Sequence, residues 1–159
     1  MKKGVALILV CIAVVVSIFL VKTGNKAENK AENKAENTLG KSEGVEEKLV
    51  SLILKGNLTK EQKKEMLALL PDVDWKKGSE ICIDDNYDAS SKIVDWLYSE
   101  AEGANIKDVD DILNVIKTYV DSNLDGAYTE GVSAALGEIY INDMENFVKA
   151  LHQIPGAIK

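Results

Sequence analysis

Val109 to Asp121 reads VDDILNVIKTYVD, and its apolar residues decide the fold class. Val109, Ile112, Leu113, Ile116, Tyr119 and Val120 recur at i, i+3, i+4, i+7, i+10 and i+11, which lines one face of an α-helix and fits no strand. Asp108, Asp110 and Asp111 stand at its start, where carboxylates favour the positive end of the helix dipole. That position accounts for the acidic cluster without catalytic chemistry.

The same period extends in both directions. Downstream, Asp125-Gly126 breaks the chain, and Tyr128, Val132, Ala135, Leu136, Ile139 and Tyr140 predict the next helix. Gly131, Ala134, Ala135 and Gly137 give that helix small side chains that permit a close neighbour. A last short helix begins after the cap residue Asp143 and is expected to bury Met144, Phe147, Val148 and Leu151 before Pro155.

Upstream, Ala89 to Glu102 reads as a helix capped by Asp88 or Ser90, stopped by Gly103, with Ile93, Val94, Leu97 and Ala101 inward. Thr59-Lys60-Glu61-Gln62 fits a capping box for a helix that carries Met66, Leu67 and Leu70 and ends at Pro71. Val45, Leu49, Leu52 and Ile53 form another stripe, closed by Gly56. Between Asp72 and Asp88 no period is visible, so this stretch reads as a long loop with a short extended piece at Ile81 to Ile83. The expectation is an all-α domain of five to six short helices over residues 44–159, packed as αα-hairpins because the connections are short.

Two segments precede that domain. Gly4 to Val21 (GVALILVCIAVVVSIFLV) holds no charge, and at about 1.5 Å per residue it spans roughly 27 Å, close to the hydrocarbon thickness of a bilayer. The apolar run exceeds a signal-peptide core of about 7–15 residues, and no small-x-small pair comes after it, so residues 1–22 read as an uncleaved signal-anchor. Cys11 is preceded by Val10 and not by a small residue, which suits a membrane helix better than a lipid-modified cysteine. Lysines flank the run on both sides, so charge alone leaves its orientation near a tie. Its place at the extreme N-terminus favours export of the remainder of the chain, giving a single-pass protein with an extracytoplasmic domain.

Residues 23–43 form the linker, in which Asn25 to Asn37 repeats a four-residue unit, NKAENKAENKAEN. Nothing in the repeat is large enough to bury, and like charges stack four apart, so it reads as a solvated spacer with a reach on the order of 25–30 Å.

Charge narrows the choice of partner. From residue 42 onward there are 12 Lys against 23 Asp and Glu, a net of −11, and the chain contains no arginine. A nucleic-acid partner is therefore not expected, since phosphate neutralisation needs a basic face. Cys82 is the one thiol outside the apolar run and is expected in the core.

Asp121-Ser122-Asn123-Leu124-Asp125-Gly126 resembles the opening of a calcium loop, in which alternate oxygen ligands precede a glycine turn. Asp121, Asn123 and Asp125, with Thr129 and Glu130, are the candidate ligands. The twelfth position is Val132 where a bidentate Glu should stand, so any calcium site would be weak. A fainter echo, Asp84-x-Asn86-x-Asp88, lacks the glycine. The same residues also serve as helix caps without metal. His152 is the only histidine and joins no nucleophile motif, so no enzyme activity is expected and no other cofactor is implied. Trp96 reads as core, whereas Trp75, in the long loop, is expected to be exposed and, with Asp72, Asp74 and Tyr87, to form a protein-binding surface. The functional expectation is a non-enzymatic, membrane-anchored domain that binds another protein at the cell envelope. The alternative is a weak calcium-binding module built on Asp121 to Glu130.

Overall fold

The computed structural model describes residues 44–84 and 87–155. The anchor expected at Gly4 to Val21, the repeat at Asn25 to Asn37 and Asn86 lie outside the described residues. Among the described residues no helix is long and apolar enough to cross a membrane.

These residues form seven α-helices, one 3-10 turn and a two-stranded sheet. The order is α1 (Val45–Lys55), α2 (Lys60–Leu69), the 3-10 turn Leu70–Asp72, α3 (Trp75–Glu80), β1 (Cys82–Asp84), β2 (Tyr87–Asp88), α4 (Ala89–Glu102), α5 (Val109–Asp121), α6 (Gly126–Asn142) and α7 (Met144–Leu151).

Helix starts are set by the caps. At α2 the Gln62 amide donates to Thr59 Oγ1 at 3.2 Å, and the Thr59 amide donates back to Gln62 Oε1 at 2.8 Å. Asp88, Asp108, Asp125 and Asp143 each accept a first-turn amide, from Ser91, Asp110, Tyr128 and Asn146 respectively. Each of these carboxylates satisfies a donor that the helix itself leaves unpaired. Pro71 cannot donate to continue α2, and the chain tightens there into the 3-10 turn.

Helix α4 packs on α1, on α3 and, most extensively, on α6. Helix α5 packs on α7, α6, α2 and the 3-10 turn. The largest pairings thus join alternate helices, α4 with α6 and α5 with α7, while sequential neighbours touch less. A stack of sequential hairpins describes only part of the packing. Leu49, Leu70, Ile93, Leu97, Ile112 and Ile139 fill the shared core.

Close approach of α4 and α6 depends on Gly131. A Cβ there would lie 2.2 Å from Val94 Cγ1, whereas one at Gly137 would meet nothing within 4 Å. Of these two glycines, only Gly131 answers the expectation of a helix contact through small residues.

The structure corrects four expectations. Residues 75–80 are helical, because Asp74 caps them by accepting the Lys77 amide at 3.0 Å. The extended piece is real but pairs with a second strand, Cys82 opposite Asp88 and Asp84 opposite Tyr87. Cys82 is exposed on β1, because the pleat turns Ile83 inward in its place. On α7, Ala150 and Leu151 are buried while Met144 and Val148 stand 52% and 38% exposed. Helix α4 ends at Glu102 with Gly103 as its cap, as expected, but the left-handed residue of the closure is the one after the glycine. Gly103 keeps a φ of −71°, and Ala104 takes the left-handed φ of 53°. The Asn105 amide then reaches the Glu100 carbonyl at 2.9 Å and the Ala104 amide the Ala101 carbonyl at 3.0 Å, the two bonds of a Schellman closure.

Candidate functional site

One residue of the expected protein-binding surface, Trp75, and two of the expected calcium ligands, Asn123 and Asp125, line one surface pocket. Trp75, Lys76 and Ser79 of α3 face Asn123, Leu124 and Asp125 of the α5–α6 connection and Tyr128 of α6 across a volume of about 240 Å³. Trp75 is only 2% exposed and is therefore the floor of this pocket, not an exposed anchor. Its ring centroid lies 5.9 Å from that of Tyr128, in a tilted arrangement. The Ser90 hydroxyl, itself buried, donates to the Trp75 carbonyl at 2.9 Å. A Cβ on Gly78 would sit 2.3 Å from the Ser90 Oγ, so glycine gives that hydroxyl room to reach the turn.

Tyr128 ties this floor to the start of α4. Its hydroxyl donates to Asp88 Oδ1 at 3.2 Å, and the same carboxylate accepts the Ser91 amide at 2.7 Å and the Ser91 hydroxyl at 3.0 Å. Burial, and after it the nearby Asp88 charge, pushes the Tyr128 phenol above its usual range.

The remaining residues of the expected protein-binding surface are largely engaged. Asp72 is exposed at the end of the 3-10 turn. Asp74 caps α3, and its amide donates to Glu46 Oε1 at 2.8 Å. Tyr87 lies on β2, where its hydroxyl donates to the Asp95 carboxylate and the Lys92 ammonium sits 5.4 Å from its ring centroid. The Asp95 hydrogen bond raises the Tyr87 pKa. Asp72, Asp74, Trp75 and Tyr87 therefore do not form one exposed patch around a tryptophan.

The expected calcium ligands have this arrangement. Asp121 is the exposed last residue of α5, Asn123 is exposed at the pocket rim, and Glu130 is exposed on α6. Helix α6 begins at Gly126, the sixth position of the motif, so positions seven onward are helical and not loop. The Asp125 carboxylate accepts the Tyr128 amide at 3.3 Å, and the Thr129 hydroxyl donates to the Asp125 carbonyl. Thr129 thus spends its proton within the first turn. Among the described residues no group of three His, Cys, Asp or Glu side chains is placed to hold a metal ion. His152 is exposed just after α7.

Two features were missed in the sequence. Glu46 is buried at 3% exposure, and Lys77 lies 2.8 Å from its Oε2 and 3.0 Å from Glu47 Oε2. These carboxylates, Glu46 foremost, hold the Lys77 ammonium above its usual pKa. The available signal was spacing, since Glu46 stands three and four residues before the buried Leu49 and Val50. The second feature is a run of exposed apolar side chains near the α6–α7 junction, Ile141 at 75% exposure in α6 and Met144 and Val148 in α7. Met144 and Val148 lie one turn apart on one face of α7.

No protein-family model, no curated protein and no solved structure matches this chain.

Proposed function

We propose that the chain is a non-enzymatic helical domain, held at the membrane by Gly4 to Val21, that binds another protein at the cell envelope on the extracytoplasmic side. The observation that carries the binding is the exposure of Ile141, Met144 and Val148 within eight residues of chain. Exposed apolar side chains scattered singly are ordinary, whereas three so close in the chain are a reason to look for an interaction surface there. The uncharged run supports the anchor, and the NKAE repeat supports a stand-off between anchor and domain. Trp75, being buried, no longer belongs to the proposed contact surface.

Protease added to intact cells tests the placement. Loss of the domain, with protection restored only when it is expressed without the anchor, is the expected result. A domain that resists protease until the membrane is permeabilised would overturn the extracytoplasmic placement. A photo-crosslinking side chain at position 144, activated in intact cells, tests the binding surface, with a protein adduct expected there and not at exposed Asp121.

A further inference from the structure

We infer that the pocket between α3 and the α5–α6 connection is a binding site for a small zwitterion of the amino-acid class. It shares no residue with the contact surface proposed above and stands independently of it. At about 240 Å³ it is smaller than the roughly 300–1,000 Å³ of sites that hold drug-sized molecules, which limits the occupant to something small. Its apolar wall is Trp75, Leu124 and Tyr128, all buried. That wall is fixed before any ligand arrives, because the Ser90 hydroxyl donates to the Trp75 carbonyl at 2.9 Å and the Tyr128 hydroxyl donates to Asp88 at 3.2 Å.

The charged groups of the lining select the occupant. Lys76 is exposed on the α3 side, and its ammonium has no ion pair or hydrogen bond among the described residues. Asp125 is exposed on the facing connection, where its Oδ1 accepts the Tyr128 amide at 3.3 Å and its Oδ2 has no partner among the described residues. The exposed Asn123 side chain, likewise without a partner there, offers both a donor and an acceptor. One cation and one carboxylate thus line the same volume without forming a salt bridge to each other. A purely anionic ligand would meet Asp125 and a purely cationic one Lys76, whereas a molecule carrying both an ammonium and a carboxylate complements each. An apolar side chain on that molecule would lie against Trp75 and Leu124. The fold also leaves the buried Trp75 indole N–H without a hydrogen-bond partner, a cost that native structures usually avoid and that an acceptor on a bound molecule would relieve.

The test is calorimetry on the full chain in phosphatidylcholine nanodiscs, with empty nanodiscs as the background. L-leucine is titrated beside N-acetyl-L-leucine, which lacks the ammonium, and L-leucinamide, which lacks the carboxylate. Saturable heat is expected with leucine, and binding at least about threefold weaker with either analogue. Lys76→Gln should weaken leucine by a similar factor but leave leucinamide unchanged, and Asp125→Asn should weaken leucine but leave N-acetyl-leucine unchanged. Neither variant should alter melting without ligand, since Lys76 is unpaired and asparagine caps a helix about as well as aspartate. Absence of saturable heat, or an analogue that binds as tightly as leucine, would overturn the inference. Leucine binding that survives both substitutions would place it elsewhere on the molecule and overturn it as well.

Discussion

Asp125 carries the least ambiguous local chemistry in the 121–130 stretch. Its carboxylate accepts the Tyr128 amide at the start of a 17-residue helix. Asp125→Ala is therefore expected to lower stability by about 1 kcal/mol, as loss of a cap does. Both proteins should melt at the same temperature with and without millimolar calcium; a calcium-raised melting point abolished in the variant would restore the metal-loop reading. Ala104 offers the opposite case. Its left-handed φ of 53° costs an L-residue what glycine avoids, so Ala104→Gly is expected to stabilise by about 0.5–1 kcal/mol in chemical denaturation. The caps at Thr59, Asp88, Asp125 and Asp143 were legible because a cap is a local event between residues three apart. Glu46 and Cys82 were not, because their burial and exposure depend on what lies across the fold.

At the scale of elements, contact between α4 and α6 can be tested through one glycine. Gly131→Ala gains up to about 1 kcal/mol of helix propensity, but its Cβ must displace the stiff, β-branched Val94. Overpacking of this kind costs about 1–3 kcal/mol, so net destabilisation is expected, and Val94→Ala in the same chain should recover much of it. Additive losses in that double-mutant cycle would mean that the two residues do not meet. The long helices were readable from period alone, and α5 has the clearest stripe. Even there the buried side is centred on Ile112, Val115, Ile116 and Tyr119, with Val109, Leu113 and Val120 at its margin. Helix α3 escaped detection because six residues, WKKGSE, contain too few apolar positions to show a period. The apolar side of α7 was readable as well. Which part of it would be covered was not, since that depends on the position of α5.

For the molecule as a whole, carboxylates set the response to acid. Helix α2 is tied to three others through Lys48–Glu65 at 2.6 Å, Lys63–Glu100 at 2.8 Å and Lys64–Asp108 at 3.2 Å. The bond to Lys64 holds the Asp108 carboxyl below its ordinary 3.8, so its contribution is present above that value and lost as pH falls through the lower folded pKa. Asp111 has the other sign. One of its oxygens is buried without a hydrogen-bond partner, and burial raises its pKa above 3.8. Its ionised form therefore disfavours the fold, and that penalty fades as pH falls through the raised folded value. Asp111→Asn should give a small rise in melting temperature at neutral pH and a flatter stability profile as pH falls through the raised folded pKa of Asp111. The surplus of negative charge was legible in the sequence, but the neighbours that distinguish Asp108 from Asp111 were not.

The start of α1 is fastened to α3 in a way that bears on mechanical load. Gly44, just before α1, has no Cβ, which leaves space for the Lys77 ammonium 2.2 Å from where that atom would be. Two residues further on, Glu46 grips the Asp74 amide and Lys77 together, so load reaching α1 is shared at once with α3. Lys77→Ala is therefore expected to lower the force at which α1 detaches when the domain is pulled from its N-terminal side, which single-molecule stretching would read.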